Sequence, residues 1–233
     1  MKNALICFLK FPQPGGVKTR LAEDFGDENA ASLYEALAER VITEVFPLHE
    51  RYDLILCVDP GHDLEAYQDW IGEQWSFWFQ PEEEDLGGRM NAAVQRALDE
   101  GYGRVILIGS DCVGLSETLI GETFDKLDDH DFLIGPSTDG GYYLLALKAD
   151  DPWLFLNMPW STPDVLPFTI DRIEARDLKF QLLDEKIDID TIEDLARFRE
   201  QLPEEHFLSK KIDHLVLERL KAPHGLQDLS DPP

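Results

Sequence analysis

The stretch Lys10-Phe11-Pro12-Gln13-Pro14-Gly15-Gly16-Val17-Lys18-Thr19-Arg20 has the residue types of a phosphate cradle. Gly15 and Gly16 let backbone N–H groups come close to an anion, the prolines stiffen the loop, and Lys10, Lys18 and Arg20 supply charge and donors. The placement stands out because the chain is strongly acidic, with a formal net charge of -26. Between Phe11 and Gly88 the basic residues are Lys18, Arg20, Arg40 and Arg51. The spacing fits neither a P-loop nor a dinucleotide fingerprint. The plainer alternative is a solvated Gly/Pro turn with an incidental lysine.

Carboxylates form the second group. Gly109-Ser110-Asp111-Cys112 closes a central apolar run, and Asp188-Ile189-Asp190-Thr191 leads into a helical pattern. A Mg²⁺ or Mn²⁺ ion on a diphosphate wants one or two carboxylates and shares its other positions with water and phosphate oxygens. Asp111 with Asp188 or Asp190 would serve. Singly, Asp111 also reads as a turn former, and Asp190 or Thr191 as a helix cap.

Three further segments carry polar chemistry. In Gly135-Pro136-Ser137-Thr138-Asp139-Gly140-Gly141-Tyr142, Asp139 is the candidate acceptor base, and Gly140 and Gly141 are either a substrate-contacting backbone or a hairpin turn. In Asp85-Leu86-Gly87-Gly88-Arg89-Met90-Asn91, Gly87 and Arg89 offer contacts to a base, ribose or phosphate, at a loop running into a helix near Asn91. There Arg89 also reads as a counter-charge to residues 82–85. Trp160 would line an acceptor pocket or plug the core, with Ser161 or Thr162 capping the helix after Pro163. The six histidines have no partner at metal-ligand spacing, and no G-x-S-x-G elbow appears.

These residues need a scaffold that gathers strand ends. Apolar runs at 4–9, 54–58, 75–79, 104–108, 132–134 and 142–147 alternate with helical patterns over 27–46, 91–98 and 116–127. Strands separated by single helices predict an α/β open sheet, mostly parallel, with helices on both faces. In such sheets ligands sit beyond the carboxyl ends of the strands, where most of these segments fall. The region 150–167 reads as an irregular excursion, and 82–84 as part of a solvated loop. Residues 1–202 are expected to form the main domain, and 203–233 an amphipathic helix (Phe207, Leu208, Ile212, Leu215, Val216) with a polar tail.

Composition narrows the partners. An excess of 47 acidic over 21 basic residues argues against nucleic acid or an anionic membrane surface. No segment is apolar for long enough to span a membrane, and the N-terminus lacks the arrangement of a signal peptide. Cys7, Cys57 and Cys112 are scattered at or beside expected strands, which fits reduced thiols in a cytoplasmic protein.

Taken in order, residues 10–21, 85–90, 109–112, 135–145, 160–162 and 188–195 resemble one family. It is the DUF2064 group of GT-A-type glycosyltransferase-like proteins, some members of which are labelled arsenosugar-biosynthesis glycosyltransferases. The resemblance implies a nucleotide-diphospho-sugar transferase fold that binds an activated nucleotide with a divalent metal. It puts Lys10, Lys18 and Arg20 on the phosphate-contacting loop and Asp111 on the metal aspartate. Asp188 or Asp190 falls on the second acidic position seen in related nucleotidyltransferases. Val113 stands where the family usually has proline, and Gly88 replaces a usual acidic residue.

Transfer of a glycosyl group from a nucleoside diphosphate sugar is the leading expectation. The metal, Lys18 and Arg20 would stabilise charge on the leaving diphosphate. The alternative is nucleotidyl transfer, joining an NTP to a phosphorylated acceptor, because the Lys-Thr-Arg-Leu ending also resembles guanylyltransferases. A triphosphate needs extra cations that this acidic chain barely offers. Nucleotide binding without catalysis is the third class.

Overall fold

The computed structural model describes residues 2–81 and 85–221. The expected loop at 82–84 and the tail from 222 onward lie outside the described residues. By contact density the chain divides into two units, one of residues 1–11 and 35–189, the other of 12–34 and 190–233.

The first unit holds a seven-stranded sheet. Its strands are β1 (Lys2–Leu9), β2 (Asp53–Val58), β3 (Ser76–Phe79), β4 (Tyr102–Gly109), β5 (Phe132–Pro136), β6 (Tyr142–Leu147) and β7 (Phe180–Leu182), in the order β3-β2-β1-β4-β6-β5-β7. β1 pairs parallel with β2 and β4, β2 with β3, and β5 with β7. β6 runs antiparallel to both β4 and β5. The mostly parallel α/β sheet expected from the sequence is therefore present, with one reversed strand. That reversal follows from the turn at 137–141, too short for a crossover, so β5 and β6 form a hairpin. The short β7 has no counterpart among the sequence expectations.

Strand side chains alternate between the two faces. Ala4, Ile6, Ile55, Cys57, Val105 and Leu107 pack with Met90, Ala93, Val94 and Ala97 in one core. Leu5, Cys7, Leu56, Val58, Ile106 and Ile108 point the other way and are equally buried. Near-continuous apolar strands of this kind are those of a sheet covered on both faces. Burial of the Cys57 thiol pushes its pKa up to about 12, and burial raises that of Cys7 further. Both are core side chains and not reactive ones.

The helices are α1 (Thr19–Phe25), α2 (Asp27–Glu44), α3 (Leu64–Ile71), α4 (Leu86–Asp99), α5 (Glu117–Lys126), α6 (Val165–Glu174), α7 (Ile192–Gln201) and α8 (Phe207–Lys221). Ser116 caps α5 as expected, its hydroxyl accepting from the Leu119 amide at 3.1 Å. Three boundaries differ from the sequence reading. The helix after the glycine loop opens at Thr19, and Gly26 (φ 82) separates this extra α1 from α2. α4 opens at Leu86, not near Asn91, because Asp85 accepts from the Gly88 amide at 2.8 Å. At α6 the N-cap is Asp164 with no side-chain cap, so neither Ser161 nor Thr162 fills that role.

In the second unit α1 buries Leu21 and Phe25, α7 buries Leu195 and Phe198, and α8 buries Leu208, Ile212 and Leu215. Phe207 and Val216, expected on the apolar stripe of α8, are exposed. Thr191 starts α7 with a capping box, reciprocated by Asp194, which decides between the two cap candidates.

At the carboxyl ends of β1 and β2, Asp59 ties together the chain leaving both strands. Its Oδ2 accepts from the Phe11 amide at 3.0 Å and the Tyr67 hydroxyl at 2.8 Å, and its Oδ1 from the Gly61 amide at 2.9 Å. Phe11 stacks on His62 at 4.1 Å and meets Tyr67 edge-on at 5.5 Å. Asp59→Ala removes both acceptor oxygens and with them all three hydrogen bonds. It is expected to lower unfolding free energy by roughly 2–4 kcal/mol in urea titration, given about 1.5–3 kcal/mol for a charged hydrogen bond and partial exposure here.

Candidate functional site

Asp111 follows β4 directly, and its partner arrives from far along the chain. Residues 183–188 return beside the hairpin: Ser137 bridges Lys186 in parallel and Cys112 bridges Asp188 antiparallel. The Cys112 thiol donates to Ile187 O at 3.6 Å. This pairing brings a carboxylate oxygen of Asp111 within 4.8 Å of one of Asp188, and both residues are half-buried. Hard oxygens at that spacing match what Mg²⁺ or Mn²⁺ takes from a protein.

The hairpin turn beside them is tightly specified. The Asp139 Oδ1 accepts from the Ser137 hydroxyl at 2.5 Å and from the Gly141 amide at 3.0 Å. Gly140 adopts φ +89, and a Cβ there would run into the Pro163 backbone. Gly140 O also accepts from Leu166 N at 3.0 Å. Gly140 and Gly141 thus make the hairpin turn, and Asp139 is partly committed to holding it.

Gly87 and Trp160 come together. A Cβ on Gly87 would stand 2.6 Å from Phe155 O and 2.8 Å from Trp160 Nε1. Trp160 also meets Tyr142 edge-on at 6.5 Å and packs against the core, while its buried Nε1 has no hydrogen-bond partner among the described residues. Arg89 lies half-buried in the first turn of α4.

In the second unit the glycine loop is a turn followed by a strained residue. Gly16 N donates to Gln13 O at 2.9 Å, with Pro14 and Gly15 (φ 77) between them, the signature of a type II turn. Lys18 then takes a left-handed conformation, φ 47, as N-cap of α1. For a non-glycine residue that costs on the order of 1–2 kcal/mol. Lys18 Nζ lies 2.8 Å from Asp190 Oδ1, with its side chain 2% exposed, whereas the Arg20 side chain is 67% exposed and 3.9 Å from Asp190 Oδ2. Lys10 belongs to the first unit and is exposed.

Two residues the sequence analysis does not single out also stand at these strand ends, Asp59 and Lys186. Alternation along Lys186-Ile187-Asp188 was the available signal for the second. A groove of about 660 Å³ lies elsewhere, at the amino ends of the strands, lined by Asn3, Phe46, Arg51, Trp75 and Tyr102 among others. Among the described residues the group of acidic side chains that could hold a metal ion lies at the carboxyl ends.

The family model DUF2064, described as "Uncharacterized protein conserved in bacteria", matches residues 43–162. The crystal structure of a "putative nucleotide-diphospho-sugar transferase" from Desulfovibrio desulfuricans G20 is 34% identical, with a TM-score of 0.86, over 94% of this chain and 99% of that one. The chain belongs to the DUF2064 family. A CMP:2-keto-3-deoxy-manno-octonic acid synthetase complexed with CTP shares the fold at 10% identity and TM-score 0.56, over 86% of this chain and 98% of that one. So does Rv0371c of Mycobacterium tuberculosis H37Rv in complex with manganese, at 10% identity and TM-score 0.54, over 87% and 100%. A comparison with curated proteins returns no match. The DUF2064 fold here is thus that of the nucleotide-diphospho-sugar transferase-like proteins, as the sequence resemblance implied. Among the described residues, no helix is long and apolar enough to cross a membrane.

The contact of Gly87 with Trp160 leads to a stability expectation. Gly87→Ala forces the indole or the Phe155 carbonyl aside and should cost about 1–3 kcal/mol. In a chain of this length calorimetry should show Tm falling by roughly 2–4 °C per kcal/mol.

Proposed function

We propose that this DUF2064 protein is a divalent-metal-dependent transferase that takes a glycosyl group from a nucleoside diphosphate sugar and passes it to a small acceptor. The observation that carries the reading is the Asp111–Asp188 pair, with carboxylate oxygens within 4.8 Å of each other after β4. Carboxylate oxygens at that spacing are the hard donors a divalent cation takes from a protein. When bound, Mg²⁺ or Mn²⁺ would neutralise charge on the leaving diphosphate. Asp111 and Asp188 would hold the ion, and Asp190 keeps its place as the further acidic position, its charge matched by Lys18.

Lys10, Lys18 and Arg20 remain the proposed cations of the phosphate loop, and Gly15 and Gly16 its close-approach backbone. Gly87, Arg89, Gly140, Gly141 and Trp160 are the proposed substrate-contacting set. In an inverting transfer Asp139 would accept the acceptor proton through Oδ2, since Oδ1 is engaged by Ser137 and Gly141. That engagement also favours a second reading. In nucleotidyl transfer the acceptor is a phosphate, already ionised at neutral pH, and no base is required.

Asp111→Asn keeps the side chain's size while removing its charge. It is expected to leave the fold intact and abolish the metal-dependent part of nucleotide binding in a thermal-shift titration, where a ligand of the native state raises Tm by mass action. An unchanged Mn²⁺ dependence in the variant would overturn the metal assignment.

The two reactions separate by ligand preference. At fixed ionic strength and free metal, a nucleoside diphosphate sugar is expected to bind more tightly than the matching NTP, because the extra phosphoryl group finds few cations. Pyrophosphate release from an NTP plus a phosphorylated acceptor, with no turnover of any nucleotide sugar, would select nucleotidyl transfer.

A further inference from the structure

Lys186 lies on the same extended segment that carries Asp188 to Asp111. Its backbone is pinned on both sides: Lys186 N donates to Pro136 O at 3.0 Å, and Lys186 O accepts from Thr138 N at 3.1 Å. In an extended chain, side chains two apart project to the same side, so Lys186 and Asp188 face one way. The ammonium sits 5.8 Å from the centre of the Tyr143 ring. It also comes close to Gly114, three residues past Asp111, where a Cβ would stand 3.5 Å from Nζ. Gly114 has φ +82 and no side chain, so nothing from that residue covers the amine.

Among the described residues no carboxylate forms an ion pair with Lys186. Lys186 is half-buried, and in a chain of net charge -26 its ammonium has the Tyr143 ring face beside it. A cation–π contact offsets part of the desolvation cost, and an anion would offset more. Asp111 follows β4, and Lys186 bridges the chain just after β5, two strands along in the order β4-β6-β5.

We infer that Lys186 binds an anionic group of the second substrate, a phosphate monoester, next to the Asp111–Asp188 pair. The inference rests on the metal–nucleotide reading above and adds to it the chemical class of the acceptor. Lys186 is a binding residue for the acceptor and leaves the nucleotide to other groups. Its fixed backbone and the Tyr143 ring set where the phosphate lies, and Gly114 places no side chain against the amine.

Inorganic phosphate is the probe. It is titrated calorimetrically into the full chain saturated with Mg²⁺ and the tightest-binding nucleoside diphosphate, with acetate titrated in parallel. Wild type is expected to bind phosphate and Lys186→Ala to bind it about ten- to a hundredfold more weakly, the range for loss of one charge-assisted contact. Nucleotide affinity should stay within about twofold in Lys186→Ala, which also shows that the variant is folded, and Lys186→Arg should recover most of the phosphate binding. Equal phosphate affinity in wild type and Lys186→Ala, or no phosphate binding by wild type, overturns the inference while leaving the nucleotide reading standing. Acetate bound as tightly as phosphate overturns the phosphate class. If no nucleoside diphosphate binds with Mg²⁺, the earlier reading fails by itself, and the same titration in Mg²⁺ alone still decides the role of Lys186.

Discussion

One backbone bridge sets the arrangement of side chains after β4. Cys112 and Asp188 are separated by most of the second half of the sheet, yet their main chains pair, and Asp111 and Asp188 are thereby held with carboxylate oxygens within 4.8 Å. The pairing resists separation because it extends a run of main-chain bonds that includes Leu183 N to Ile134 O at 2.8 Å and Lys186 N to Pro136 O at 3.0 Å.

A comparable constraint appears in the glycine loop. Lys18 adopts a backbone conformation that a lysine rarely takes, and its buried ammonium meets Asp190 at 2.8 Å. Strain at one residue is tolerated where an ion pair in a poorly solvated position compensates it. Asp59 does comparable work after β1 and β2, using one carboxylate to satisfy two backbone amides and a tyrosine hydroxyl. Acidic residues in this chain therefore act as local acceptors that order loops at strand ends, apart from their contribution to net charge.

Several glycines chosen for their chemical promise turn out to be demanded by packing. Gly87 accommodates Trp160 and the Phe155 carbonyl, and Gly140 accommodates Pro163 while turning the hairpin. Such positions can still border a ligand, since a backbone stripped of side chains is open on its other side. What the packing shows is that their identity has a sufficient structural cause. Asp139 is similar, with one oxygen holding the turn through Ser137 and Gly141.

Much of the scaffold was legible from residue order alone. Apolar runs such as Ala4–Leu9 and Arg104–Ile108 are too uniformly hydrophobic for anything but strands buried on both faces, and helical spacing between them dictates crossovers. Asp111 was recognisable because it closes the clearest central run, Arg104–Ile108. The start of α1 was not legible, since Thr19-Arg20-Leu21 is too short a segment to show helical periodicity before Gly26. The reversal of β6 was only half visible, because a Gly-Gly pair fits a hairpin or a ligand loop equally well. The partner of Asp111, the burial of Lys18 against Asp190, and the position of Lys186 over Tyr143 were decided by tertiary structure. Each depends on main-chain pairing between segments tens of residues apart, and no local spacing encodes which distant strand an extended segment will join.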